Sequence, residues 1–118
     1  MTGAELVVAA WARFDAGDLD HLDDLFAPDA RFGPVRGVDA VAGVVAGHRR
    51  AFPVTTHEPV RSLEGDGVAC VEGRVVGVTP DGRRAEWLAT VWVEHSGDRI
   101  TGWTTSYDTA AVQAQLDA

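Results

Sequence analysis

The chain has 118 residues, 46% of them apolar, and a formal charge of −8, which supports one domain over residues 1–118 with a single core. The acidic balance disfavours nucleic acid and anionic membrane surfaces as partners, and no apolar run reaches the ~18 residues of a membrane-spanning helix. All ten basic residues are arginine, which removes lysine Schiff-base chemistry and the usual attachment of pyridoxal phosphate.

The N-terminal MTGAELVV lacks the basic start and cleavage site of a secretory signal, so a cytoplasmic protein is expected. Leu6, Ala9, Ala10, Phe14 and Gly17 recur at helical spacing, with Trp11 adding bulk, and Gly17 ends this first helix. Asp18 can cap a second helix that turns Leu19, Leu22, Leu25 and Phe26 inward and leaves Asp20, His21, Asp23 and Asp24 as a solvated face. Pro28 closes that segment, Ala30 to Gly33 reads as a short strand, and Val38, Val41, Val45, His48 and Phe52 mark a third helix that Pro53 stops.

The second half alternates. Gly65-Asp66-Gly67, Pro80-Asp81-Gly82 and Ser96-Gly97-Asp98 separate apolar runs and predict an antiparallel meander of four strands starting near Thr55. Strands of roughly a dozen residues exceed the usual ~5 to 6, so they must coil or bulge. The expected fold is therefore α+β: a curved, mostly antiparallel sheet, a cone-shaped half-barrel, packed on three N-terminal helices and enclosing a pocket. Cys70, between Ala69 and Val71, reads as a buried inert thiol.

Asp108 stands where the last strand gives way to a short helical tail, a place where a carboxylate can face a cavity and exchange protons. Asp108 before Thr-Ala-Ala is equally a helix N-cap. Trp11, Trp87, Trp92 and Trp103 are many for this length and suit either a core or an apolar cavity that binds rings. His48 and His57 are candidate pocket groups, and His95, beside a turn, is expected to be exposed. The histidines lack metal-ligand spacing, and there is neither a nucleophile elbow nor a phosphate-cradling loop, so no metal and no cofactor are expected.

The order of elements resembles the nuclear transport factor 2-like superfamily. Two stretches carry the resemblance: Phe14 to Phe32, FDAGDLDHLDDLFAPDARF, and Asp98 to Asp108, DRITGWTTSYD, which is similar to the closing strand of SnoaL-like cyclases and limonene epoxide hydrolases. The ketosteroid isomerases of the same superfamily would place their aspartate base at Gly33 and their first-helix tyrosine at Ala10, and both groups are missing here. Resemblance to the cyclases implies that Asp108 is the acid/base residue, although their strand histidine has no counterpart among Val71 to Thr79. Resemblance to the epoxide hydrolases implies that Glu72 and Arg74 join it, in an order swapped relative to the Arg-x-Asp pair of those enzymes. Glu72 and Arg74 share one strand parity, which also fits a solvent-facing ion pair.

These readings predict a cofactor-independent acid/base enzyme acting on an apolar polycyclic, terpenoid-like or polyketide-like molecule, by opening an epoxide or by cyclising or isomerising a ring. The expected catalytic residues are Asp108, Glu72 and Arg74. Trp11, Trp87, Trp103, Tyr107, His48 and His57 are the expected substrate contacts. The alternative is a non-catalytic small-molecule-binding or dimerisation domain of the same fold. Resemblance to the superfamily, whose sheets commonly pair by their outer faces, implies a homodimer, and apolar residues at both parities of Ala85 to Glu94 leave a face for such a partner to cover.

Overall fold

A computed structural model describes all 118 residues, Met1–Ala118. Helix α1, Gly3–Ala16, begins in a capping box: the Thr2 hydroxyl accepts from the Glu5 amide at 3.1 Å, and the Glu5 carboxylate accepts from the Thr2 amide at 2.9 Å. It ends at Gly17 in the left-handed region, φ 70°, which lets the Asp18 amide turn back to the Arg13 carbonyl. Leu6, Val7, Ala10, Trp11 and Phe14 lie on its buried face.

The second helix expected after Gly17 contracts to a single 3-10 turn, Leu22–Asp24. Asp, Asp and His in close succession are poor helix formers because their short side chains compete for backbone groups. Leu22 and Leu25 still bury in the core. Strand β1, Phe26–Phe32, starts before Pro28 rather than after it, and a two-residue β2, Val35–Arg36, folds back on β1. Helix α2 follows over Val38–Ala51 and buries Val41 and Val45.

The meander runs as β3, Val54–Glu64, β4, Val68–Val78, β5, Arg84–Ser96, and β6, Arg99–Ser106, and a tail helix α3 spans Thr109–Asp117. Each expected hairpin turn contains a glycine at positive φ: Gly67, Gly82 and Gly97. The six strands are ordered β2-β1-β6-β5-β4-β3, antiparallel except for the β1–β6 pair, so the sheet is mixed and unclosed. The side chains of β4 and β5 alternate cleanly: Ala69, Val71 and Val75, with Ala85, Trp87, Ala89, Val91 and Val93, are buried on the concave face. Against them pack α1, α2 and the β1 residues Phe26 and Ala30.

The long strands are irregular, as their length requires. Pro59 pairs with Gly73 and Arg61 with Glu72, which leaves Val60 as an extra residue on the edge strand β3. That bulge reverses the parity of the rest of β3. Glu64 consequently meets the start of α1, where its carboxylate accepts from the Ala4 amide at 2.8 Å and the Gly3 amide at 3.3 Å. A carboxylate at a helix N-terminus satisfies otherwise orphaned donors and complements the helix dipole. A second register shift between Glu94 and His95 turns His95 under the first residues of α1, where it is half-buried rather than exposed. Cys70 faces the convex side between Leu63 and Trp92 and is half-buried.

Candidate active site

Helices α1 and α2 and the concave side of the sheet enclose a cavity of about 250 Å³. Trp11, Phe14, Phe32, Trp87, Trp103 and Tyr107 supply its aromatic surface, and Val44, Val45, Val75, Ala89 and Val91 its aliphatic surface. Glycines in the sheet let Trp11, and Phe52 beside Trp87, approach the backbone closely. A Cβ on Gly73 would stand 2.5 Å from the Trp11 indole, and one on Gly77 would stand 2.6 Å from the Phe52 ring.

The polar atoms are few and connected. Asp15, in the last turn of α1, reaches across to β3: its Oδ2 accepts from the His57 amide at 2.9 Å, and its Oδ1 meets His57 Nδ1 at 2.7 Å. A carboxylate only accepts, so Nδ1 carries a proton, and in the neutral tautomer of this geometry the free lone pair is on Nε2. No protein group bonds that second nitrogen. The His57 ring lies flat against Trp11, centroids 5.0 Å apart at 14°, which fixes its plane. Both side chains are shielded, at 15% exposure for His57 and 22% for Asp15, so the pair is screened far less than a surface ion pair.

Arg49 of α2 donates to the Phe14 and Asp15 carbonyls at 3.0 and 2.9 Å, tying the C-terminal end of α1 in place behind this pair. Trp103 Nε1 donates to Thr105 Oγ1 at 2.8 Å, which occupies a lone pair of that hydroxyl and leaves its proton free to donate. His48 stands on α2 with Nε2 3.4 Å from Thr55 Oγ1. Burial, reinforced by the neighbouring His57 and Arg49 charges and opposed by Asp15, pushes the His48 imidazole below its ordinary range.

All six residues expected to contact substrate, Trp11, Trp87, Trp103, Tyr107, His48 and His57, line this cavity. The three expected catalytic residues do not. Trp103, Thr105 and Tyr107 share the inward parity of the closing strand, so the next residue, Asp108, turns away; it is exposed and caps α3, accepting from the Ala111 amide at 3.0 Å. Glu72 and Arg74 sit at the outward positions of β4. Glu72 pairs with Arg61 at 3.2 Å and Arg74 with Glu86 at 3.4 Å, both on the convex face. Glu72 and Arg74 do share a strand and a face, as expected, but the inward positions of β4 belong to Val71, Gly73 and Val75. Asp15, the carboxylate that does line the cavity, is absent from the residues expected on sequence grounds.

A helix-covered, cone-shaped sheet with a ring-lined cavity and one clamped histidine defines a small-molecule site of the ketosteroid isomerase-like architecture. The chain belongs to the SnoaL-like domain family, whose pattern matches residues 7–103. Among solved structures it is similar to IdmH, a putative polyketide cyclase from Streptomyces antibioticus, with a TM-score of 0.88, 21% identity and 100% of each chain covered. A hypothetical protein of ketosteroid isomerase-like fold from Catenulispora acidiphila, solved in complex with trimethylamine, superimposes with a TM-score of 0.86 at 18% identity over 98% of this chain and 95% of that one. A SnoaL-like polyketide cyclase from Agrobacterium tumefaciens does so with a TM-score of 0.86 at 13% identity over 98% of both chains. No curated protein matches. At these identities the likenesses establish the fold, which does not by itself assign a reaction.

Proposed function

We propose that this protein is a cofactor-independent acid/base enzyme of the cyclase and isomerase type, acting on an apolar, ring-bearing, polyketide-like small molecule. The observation that carries this reading is the Asp15–His57 pair in the cavity wall. Nε2 of His57 takes a proton from a carbon next to a carbonyl, the C–H electron pair moves into the enolate, and Asp15 stabilises the imidazolium that forms. Thr105, and Tyr107 at the cavity mouth, are donors for the enolate oxygen. The enolate carbon then attacks a second carbonyl, closing a ring, with the imidazolium returning its proton to the new alkoxide. Alternatively the proton returns to another carbon and the double bond migrates.

Epoxide opening needs two acids in one place, and with Glu72 and Arg74 on the convex face and Asp108 turned outward this cavity has one carboxylate. Ring closure or isomerisation by a single base therefore fits it better. The cavity volume lies below the roughly 300–1,000 Å³ usual for ligand pockets, which favours a compact fused-ring ligand over a long chain. The polyketide cyclases among its structural neighbours agree with that substrate class.

Homodimer formation belongs to the same reading. Leu63, Leu88 and Trp92 are 75%, 53% and 54% exposed on the convex side, an apolar surface that a second copy would cover.

The test uses 2-tetralone, a compact bicyclic ketone with exchangeable α-protons. In deuterated buffer the protein should accelerate deuterium uptake, followed by proton NMR, and His57→Gln should return it to the buffer rate. Wild-type protein that binds 2-tetralone without accelerating exchange, or a His57→Gln variant as fast as wild type, overturns the assignment of His57 as base.

A further inference from the structure

The second histidine of the cavity has no part in the proton transfer just described, yet its neighbours select the tautomer of its neutral ring. Thr55 Oγ1 lies 2.8 Å from the Phe52 carbonyl and 3.4 Å from His48 Nε2. A carbonyl only accepts, so the one hydroxyl proton goes to Phe52, and Thr55 presents a lone pair to His48. Nε2 of His48 therefore carries the hydrogen, and Nδ1 carries the lone pair.

Three features hold that arrangement. Thr55 is 4% exposed and its hydroxyl makes both bonds inside the junction between α2 and β3. The Phe52 amide donates to the His48 carbonyl at 2.9 Å, closing the last turn of α2 around the same residues. The Phe52 ring lies against the imidazole, centroids 5.5 Å apart. No protein group donates to Nδ1, although His48 lines the cavity.

We propose that His48 Nδ1 is a hydrogen-bond acceptor that selects ring ligands carrying a hydroxyl, so that the molecule bound in the cavity is a phenol or an enol rather than a fully blocked ring. A donor on the ligand satisfies Nδ1, whereas an ether or hydrocarbon of similar shape leaves it desolvated and unpaired. Because the lost hydrogen bond is accompanied by that desolvation, discrimination should reach about tenfold. The depressed basicity of His48 keeps the imidazole neutral and the lone pair available through neutral pH. The inference rests on the cavity being the ligand site and is independent of whether His57 performs catalysis.

The experiment compares equilibrium binding of 2-naphthol and 2-methoxynaphthalene, read by quenching of the cavity tryptophans. Wild type should prefer the naphthol about tenfold, His48→Phe should bind both within about twofold, and His57→Phe should keep most of the preference. In parallel, histidine nitrogen NMR on the unaltered protein should show His48 in the Nε2–H form, with Nδ1 as the nitrogen that shifts when 2-naphthol is added. That measurement decides the matter even if a variant fails to fold. Equal binding of the two probes by wild type, binding of neither, loss of preference only in His57→Phe, or a His48 Nδ1 that already carries a proton overturns the proposal. Failure of 2-tetralone exchange with the naphthol preference intact would count against the acid/base function alone.

Discussion

Asp15→Asn tests the core of the proposed chemistry. In the native pair two oxygens accept from two donors of one residue, the His57 amide at 2.9 Å and Nδ1 at 2.7 Å. Asparagine has one oxygen and one amino group. Keeping the bond to the backbone amide turns the amino group toward Nδ1, which must then accept, so the ring proton moves to Nε2 and the lone pair facing the cavity is lost. The base is disabled without a change of shape. General-base assistance is worth about 10²–10⁴-fold, so 2-tetralone exchange should fall by about 100-fold or more. Stability should fall much less, by about 1 kcal/mol, as a charge-assisted hydrogen bond becomes a neutral one in a pair that stays largely shielded. Exchange kinetics, a urea melt and histidine nitrogen shifts together separate these effects. An Asp15→Asn variant that exchanges within threefold of wild type, with Nε2 now protonated, would refute the reasoning.

Other outcomes follow from the same geometry. Asp108→Asn should leave both exchange and stability unchanged within error, because Asn caps a helix about as well as Asp, whereas Asp108→Ala should cost about 1 kcal/mol in a thermal melt. Gly73→Ala inserts a methyl 2.5 Å from the Trp11 indole, so it should cost about 1–3 kcal/mol and slow exchange by displacing the ring on which His57 rests. Because burial lowers the affinity of folded His48 for a proton, the unfolded chain binds more protons below its ordinary value of 6.5; the contribution of His48 to stability is complete above that pH and is lost as pH falls from there toward its depressed folded value. Urea melts across this window should show a weaker pH dependence in His48→Phe than in wild type. Sedimentation at micromolar concentration should give twice the chain mass for wild type and the single-chain mass for Trp92→Glu, and a monomeric wild type would remove the dimer from the reading.

The architecture was legible wherever a local rule decided it. Glycine-bearing turns fixed the three hairpins, and strand length alone required the irregularities now seen at Val60 and at His95. The second helix failed for a reason equally local: Asp20, His21, Asp23 and Asp24 satisfy the spacing of a helix but not its propensity, and the core needs only Leu22 and Leu25 from that segment. The parallel pairing of β1 with β6 brings together residues such as Phe32 and Trp103, and no periodicity within either segment encodes that contact.

The site was legible in its walls and hidden at its centre. Strand parity put Trp103 and Tyr107 opposite to Asp108, and once the aromatic residues line the cavity the same alternation sends Asp108 outside. Asp15 reads locally as one more acidic residue near a helix end, because the partner that gives it a role lies 42 residues further on. One local signal did mark it. The last turn of a helix carries a partial negative charge, so a carboxylate there is unfavourable unless something else compensates it. Arg49 meets the last carbonyls of α1 while His57 offers two donors to the carboxylate itself. A residue that sits against the helix field, on the same face as Trp11 four positions earlier, is compensated by the two donors that His57 offers it from β3, and the proposed proton transfer belongs at Asp15 and His57 rather than at the strand end.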